Sequence, residues 1–307
     1  MPLFENHPAV RALPAPDLSA GSDDPEVLRG VAVRIAVEAA QHVRVRRPEV
    51  FGAVGGGAAE TDEAVATKST PTDPVTVVDT ETEELVRALL ARWRPADAIL
   101  GEEGGGAAGR VDGVQWIVDP IDGTVNFLYG IPAFAVSVAA QVDGVSVAGA
   151  VVDVAAGAVY SAARGGGASL HEASGEVHAL RCNPVTDVSM ALLATGFGYA
   201  RSRRVRQGEL IASVLPRVRD IRRIGSAALD LCMVATGRVD AHFEHGLSPW
   251  DWAAGALIAS EAGAEVRLPA PDSTSDDGLV TVAAAPGIAA ELDAMFDELG
   301  VFAPIPA

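Results

Sequence analysis

Cysteine is scarce: Cys182 and Cys232 are the two in a chain of 307 residues. They lie far apart and lack metal-ligand spacing, which argues against both a disulfide framework and a thiolate metal centre. Cys232 sits in an apolar run and reads as a small buried hydrophobe. Such sparse cysteine fits a reducing cytoplasm. Positive charge is also short. Lys and Arg number 23 against 41 Asp and Glu, a formal net charge of −18. That balance repels nucleic acid and anionic membranes, so neither is expected as a partner. No apolar run reaches the roughly 18 residues that a membrane-spanning helix needs. The N-terminus lacks a basic start followed by an apolar stretch, so no signal peptide is read there. Residues 1–24, with their Pro and acidic residues, are expected to form a disordered leader.

Apolar residues are plentiful, at 49 %, enough to bury a core. Asp24-Pro25 opens a predicted helix, with Leu28, Val31, Ile35, Ala39 and Val43 at helical spacing. Gly52 to Gly57 breaks that pattern and reads as a mobile loop. Val75 to Val78 reads as a short extended piece. A second helix is predicted from about Thr80, with Glu83 completing a capping box and Leu85, Val86, Leu89, Leu90 and Trp93 on its apolar face. Strands are predicted at 98–100, 114–118, 134–142, 145–154 and 159–163, with Asp143-Gly144 as a hairpin turn. Residues 192–199 read as a strand leaving a helix. Helices near 207–215, 226–236 and 250–262 and a strand at 240–244 complete a mixed α and β pattern of layered sheets. No internal repeat is found.

Four segments place carboxylates beside turn residues. They are Asp73-Pro74-Val75-Thr76-Val77-Val78-Asp79, Gly101-Glu102-Glu103-Gly104, Trp116 through Thr124, and Pro249-Trp250-Asp251. The third carries most. Pro120 fixes its own torsion and is expected to end the sheet, holding Asp119 and Asp122 around one turn. Gly123 lets a ligand approach the backbone. If Gly123-Thr124 opens a helical turn, its free amides suit a phosphate. A lone Asp before a helix is ordinarily a cap, and Asp, Pro and Gly crowd many plain turns. Asp119, however, follows a strand too apolar for a surface turn, and a buried, uncompensated carboxylate is costly. Carboxylates beside an anion-binding turn need cations between them, and hard oxygen ligands suit magnesium. No Ser, Cys or His is placed as a nucleophile or general base. His242 and His245 flank Glu244 and read as structural or rim residues.

Residues 116–127, WIVDPIDGTVNF, resemble the signature of the inositol monophosphatase family. GEE at 101–103 and PWDWAAG at 249–255 resemble its other metal-binding stretches, in the same order. Residues 68–83 and 222–244 resemble further family segments. The likeness spans roughly residues 25–285 and is strongest to bacterial members. It implies a layered α/β/α/β/α sandwich, with 25–307 as one catalytic domain in two halves, about 25–180 and 181–307. It also implies a homodimer, two or three magnesium ions per site and sensitivity to lithium. The reaction implied is hydrolysis of a small phosphorylated polyol such as myo-inositol 1-phosphate by metal-activated water.

The metal ligands implied are Glu102, Asp119, Asp122, Asp251 and the carbonyl of Ile121. Asp79 and Thr124 would orient and help deprotonate the water, and the amides of Gly123 and Thr124 would hold phosphate. Gly225, Ser226, Ala227 and Glu244 would line the polyol side, with Asp122 beside them. Where animal relatives tend to carry His-Cys, this chain has Ser248-Pro249, a departure that bears on substrate preference and lithium. Fructose 1,6-bisphosphate, histidinol phosphate and a nucleotide bisphosphate stay open as substrates. So do a scaffold role through a protein partner and a purely structural metal-binding role, which Thr124 and Asp79 argue against.

Overall fold

A computed structural model describes residues 7–12, 23–52, 64–68 and 74–307. Helices α1 (Pro8–Ala12) and α2 (Pro25–Phe51) come first, then the antiparallel strands β1 (Val65–Thr67) and β2 (Pro74–Thr76). Next are α3 (Val77–Trp93), β3 (Ala98–Gly101), β4 (Val114–Asp122) and the short α4 (Thr124–Tyr129). An antiparallel run follows: β5 (Ala135–Val142), β6 (Val145–Asp153), β7 (Ala158–Ala163), β8 (Gly167–His171) and β9 (Val177–Ala179). The remainder is β10 (Leu192–Thr195), α5 (Arg201–Val214), β11 (Asp220–Arg222), α6 (Ala227–Ala235), β12 (Ala241–His245), α7 (Pro249–Glu261), β13 (Glu265–Arg267), β14 (Val280–Ala284) and α8 (Ala289–Leu299).

Strands β3 to β9 form a seven-stranded sheet in sequence order, and β11-β10-β12-β14-β13 form a five-stranded sheet. Side chains alternate faces along a strand. Trp116 and Val118 of β4 therefore join Val136 and Val138 of β5 under α2 and α3, against Leu28, Ile35, Val86 and Leu90. Ile117, Ala135 and Ala139 face the other way, onto Leu231 of α6 and Trp252 and Ile258 of α7. A strand buried on both faces reads as a continuous apolar run, which is why β4 stood out in the sequence. The five-stranded sheet packs its outer face, through Leu193, Phe243 and Val282, onto Leu210 of α5 and Phe296 of α8. The layers are thus α2α3, the larger sheet, α6α7, the smaller sheet and α5α8, the α/β/α/β/α order that the resemblance implied.

Several local expectations are corrected. Helix α3 begins at Val77, capped by Thr76 and Asp79 rather than by Thr80 and Glu83. Helix α5 starts at Arg201, ahead of the expected 207, because its buried face includes Arg203 and Gln207. Within the stretch expected as a leader, Pro8–Ala12 is helical, with Ala9 and Val10 buried against the α2 core. Two small apolar side chains, and the His7 ring accepting from the Ala9 amide at 3.2 Å, tie it down. The expected loop at Gly52 to Gly57 lies, beyond Gly52, outside the described residues, as do Asp73 and the rest of the leader before Asp23. Asp143 and Gly144 both take positive φ at the β5–β6 turn, as a two-residue hairpin requires.

Candidate active site

The site begins with an irregular strand. Pro120 was expected to end the sheet, but β4 runs through it to Asp122. The ladder pairs Asp119 with Ser137 and Asp122 with Ala135, so three steps on β4 match two on β5. That extra residue is a β-bulge, where a strand tolerates a Pro that cannot donate. On a regular strand, residues three apart face opposite sides. The bulge turns the phase over and brings Asp119 and Asp122 to one cavity of about 400 Å³.

Asp251 joins them from the first turn of α7. Single carboxylate oxygens of Asp119, Asp122 and Asp251 lie within 4.8 Å of one another. Each has a local anchor. Asp119 Oδ1 accepts the Ile121 amide at 3.0 Å. Asp122 Oδ2 accepts the Ser226 hydroxyl at 2.5 Å and the Ala228 amide at 2.7 Å. Asp251 Oδ2 accepts the Ser248 amide at 2.6 Å as part of a capping box. One oxygen of Asp119 and one of Asp251 are thereby tied to their own segments, and one of Asp122 to the start of α6. Burial first, then the charges of Glu102, Asp122 and Asp251, pushes the Asp119 pKa well up. Burial and Glu102 do the same to Asp251. Asp122 is pushed up to about 6 by burial, against the hydrogen bonds from Ser226 and the α6 amides. Like charges gathered on buried side chains are costly until a cation joins them. The donors are all oxygen, so the set fits a hard divalent ion.

Asp79 is fully buried and sits at the third position of α3. It accepts the Thr76 amide at 3.0 Å and the Thr76 hydroxyl. Its other oxygen lies 3.2 Å from the Thr124 hydroxyl, which also lies 3.0 Å from the Ile121 carbonyl. Burial pushes the Asp79 pKa up to about 7, with Glu102 and Glu103 adding to the rise. Two helix starts, α3 and α4, thus meet at one carboxylate–hydroxyl pair beside the acidic cluster.

Glu102 lines the same cavity but is not in the compact carboxylate trio. The Lys68 ammonium holds it at 2.7 Å and Glu103 at 2.5 Å. Burial opposes the Lys68 charge, yet Glu102 and Glu103 together raise its pKa. The Glu102 loop is shaped by Glu83, which accepts the amides of Glu103 at 2.7 Å and Gly104 at 2.8 Å and pairs with Arg87 at 2.7 Å. A Cβ on Gly101 would overlap the Glu83 carboxylate. Glu83 therefore supports the loop rather than capping α3.

Gly123, Thr124, Gly225, Ser226, Ala227 and Glu244 also line the cavity. Gly123 takes φ +95, and a Cβ there would stand 3.0 Å from the Ala133 carbonyl and 3.1 Å from that of Gly225. Asn126 donates to the Ala133 and Ile224 carbonyls at 2.8 and 2.9 Å, tying α4 to the segment before α6. Glu244, on β12, is pushed up to about 8 by burial. Its carboxylate lies against Gly196, where a Cβ would overlap it. Sequence reasoning missed Lys68, Gly196 and Arg223 on this cavity, and the loop-supporting role of Glu83 behind it. Lys68 and Arg223 lie inside the segments that carry the resemblance, so position was their available signal.

A five-layer sandwich with three acidic side chains meeting at a strand bulge and two helix starts defines a class of cation-dependent site. The sequence pattern described as the inositol monophosphatase family matches residues 24–298, and the chain belongs to that family. A Mycobacterium tuberculosis protein named inositol-1-monophosphatase SuhB is 60 % identical over 288 residues, covering 92 % of this chain and 98 % of that one. The solved structure titled Mycobacterium tuberculosis SuhB superposes with a TM-score of 0.75 at 54 % identity, over 91 % of this chain and 98 % of its own. A Vibrio cholerae protein named Nus factor SuhB is 43 % identical over 195 residues, 63 % of this chain and 71 % of that one.

Proposed function

We propose that the protein is a magnesium-dependent phosphomonoesterase that hydrolyses myo-inositol 1-phosphate and related polyol phosphates. The observation that carries this reading is one cavity lined by the Asp119, Asp122 and Asp251 trio, Thr124 and Glu244, with the buried Asp79 carboxylate behind the Thr124 hydroxyl. Magnesium held by Asp119, Asp122, Asp251, Glu102 and the Ile121 carbonyl would acidify a water and offset charge on the phosphate and the leaving oxygen. The residues do the rest. Thr124 Oγ1 orients the attacking water, and the Asp79 carboxylate takes its proton. A carboxyl titrating at about 7 can accept a proton at neutral pH. The amides of Gly123 and Thr124 face the phosphate. The P–O bond to the alcohol breaks as the water oxygen forms the new one; the departing alkoxide takes a proton from solvent, and Asp79 returns its own to solvent. Glu244, with Gly225, Ser226 and Ala227, accepts and packs the polyol hydroxyls.

The test is phosphate release over a panel of inositol 1-phosphate, fructose 1,6-bisphosphate, histidinol phosphate and a nucleotide bisphosphate, with magnesium and after exhaustive chelation. Fastest release from inositol 1-phosphate, lost on chelation, supports the reading; undiminished turnover after chelation removes it. The Vibrio cholerae relative carries a name other than a phosphatase's, and a second reading, a role through a protein partner, stands beside the first. A variant without turnover that still sustains the cellular role would support that one.

A further inference from the structure

A second polar cluster stands behind the cavity, and no step of the proposed hydrolysis uses two of its three members. Asp230 lies on α6, and His242 and Glu244 lie on β12. Residues two apart on a strand share a face, so His242 and Glu244 both point at the layer that holds α6. One donor atom from each of Asp230, His242 and Glu244 lies within 4.8 Å of the other two. Asp230 is 1 % exposed and His242 is 0 % exposed. Among the described residues, neither Asp230 oxygen and neither His242 ring nitrogen has a hydrogen-bond partner. The approach of His242 Nδ1 to Asp230 Oδ2 is 3.8 Å, beyond hydrogen-bond reach.

Four buried, unpartnered polar atoms at one spot carry a large desolvation cost. Buried charged groups ordinarily pair or hold a metal. Donors bound about 2.0–2.2 Å from one zinc stand roughly 3–4 Å apart, close to the spacing found. An imidazole beside two carboxylates suits zinc-like ions, whereas the oxygen-only trio suits magnesium. Two carboxylates and a neutral imidazole also balance a divalent charge. Glu244 borders the cavity, so an ion can reach the cluster from that side. Burial raises the pKa of both carboxylates, and the Arg223 charge opposes that rise in each.

We propose that Asp230, His242 and Glu244 form a second cation site, separate from the Asp119–Asp122–Asp251 trio, that takes a zinc-like divalent ion. An ion there would hold Glu244 away from substrate hydroxyls. That consequence rests on the phosphatase reading; the binding does not.

The experiment is a titration of the full chain with cobalt(II), a coloured stand-in for zinc, in excess magnesium, followed by equilibrium dialysis and visible absorption. Among the described residues, the Glu172–Glu176–His178 group on the surface is a competing imidazole site, so His178→Gln serves as the control. The expected result is one cobalt equivalent that magnesium does not displace, with visible bands, retained in His178→Gln and lost in His242→Phe and Asp230→Asn. X-ray absorption on His178→Gln protein loaded with one zinc equivalent gives a second readout that needs no variant at position 242. Imidazole scattering from that ion in His178→Gln supports the site even if His242→Phe fails to fold. No cobalt bound beyond what magnesium displaces, or the same equivalent and spectrum in a folded His242→Phe, would overturn it.

Discussion

The Thr124 hydroxyl stands 3.2 Å from the Asp79 carboxylate across 45 positions of sequence. The pair links the start of α3 to the start of α4. Asp79→Asn keeps the shape and can still accept from Thr76, but it can no longer take a proton. Removing a buried charge should leave the melting temperature equal to or above wild type. A lost general base costs about 10²–10⁴-fold in turnover. Steady-state rates beside a thermal melt check this; near wild-type kcat in a folded Asp79→Asn would remove Asp79 from the chemistry.

Glu83 holds two loop amides and Arg87. Glu83→Ala orphans the two amides, while Arg87 keeps the Gly105 carbonyl, and hydrogen bonds to charged groups contribute about 1.5–3 kcal/mol each. The variant should melt well below wild type, and the magnesium concentration for half-maximal rate should rise, because Glu102 loses its support. An unchanged magnesium dependence in a destabilised variant would leave Glu83 with a folding role alone.

Gly196→Ala places a methyl against the Glu244 carboxylate. The end of that side chain can swing away, so stability should change little. A site built to pair a hydroxyl discriminates strongly through that pair. The ratio of kcat/KM for inositol 1-phosphate over a phosphate ester without ring hydroxyls should therefore fall, as it should in Glu244→Ala. An unchanged ratio in both variants speaks against Glu244 as the polyol contact.

The buried acids also set a pH response. Asp79, Asp122 and Glu244 titrate at about 7, 6 and 8 in the folded chain against ordinary values of 3.8, 3.8 and 4.5. Groups with raised folded pKa values contribute stability that is full below the ordinary value and lost as pH climbs through the raised one. Metal-free protein should thus melt higher at pH 5.5 than at pH 8, and magnesium should raise the melt more at pH 8. Melts at both pH values with a chelator, then with magnesium, read this directly; a metal-free melt that rises with pH would contradict it.

Much of this was legible in the chain because the site is local in sequence. Asp119, Ile121, Asp122, Gly123 and Thr124 sit on one strand and the turn after it, and the apolar run before them marks a strand buried on both faces. The bulge was not legible, since Pro120 reads equally as a strand end. The Thr76–Asp79 capping box competes with Thr80–Glu83, three residues apart in each case, and spacing alone does not choose. Helix α5 was placed late because its buried positions include Arg203 and Gln207, whose long stems pack while their heads read as polar. Helix α8 carried a signal that went unread, with Leu292, Met295 and Phe296 at helical spacing and Gly300 closing it. The Asp230–His242 approach joins α6 to β12, and no pattern in one dimension announces it.

The most direct test is the effect of magnesium on the melting temperature of wild type and Asp119→Asn, with phosphate release measured on the same samples. Asp119 sits 1 % exposed among like charges. Neutralising it should relieve repulsion without metal and remove a charged ligand with it. The expected result is a variant that melts at or above wild type under chelation, gains little from magnesium and releases almost no phosphate. An Asp119→Asn protein that gains as much from magnesium as wild type and turns over near its rate would contradict the cation site.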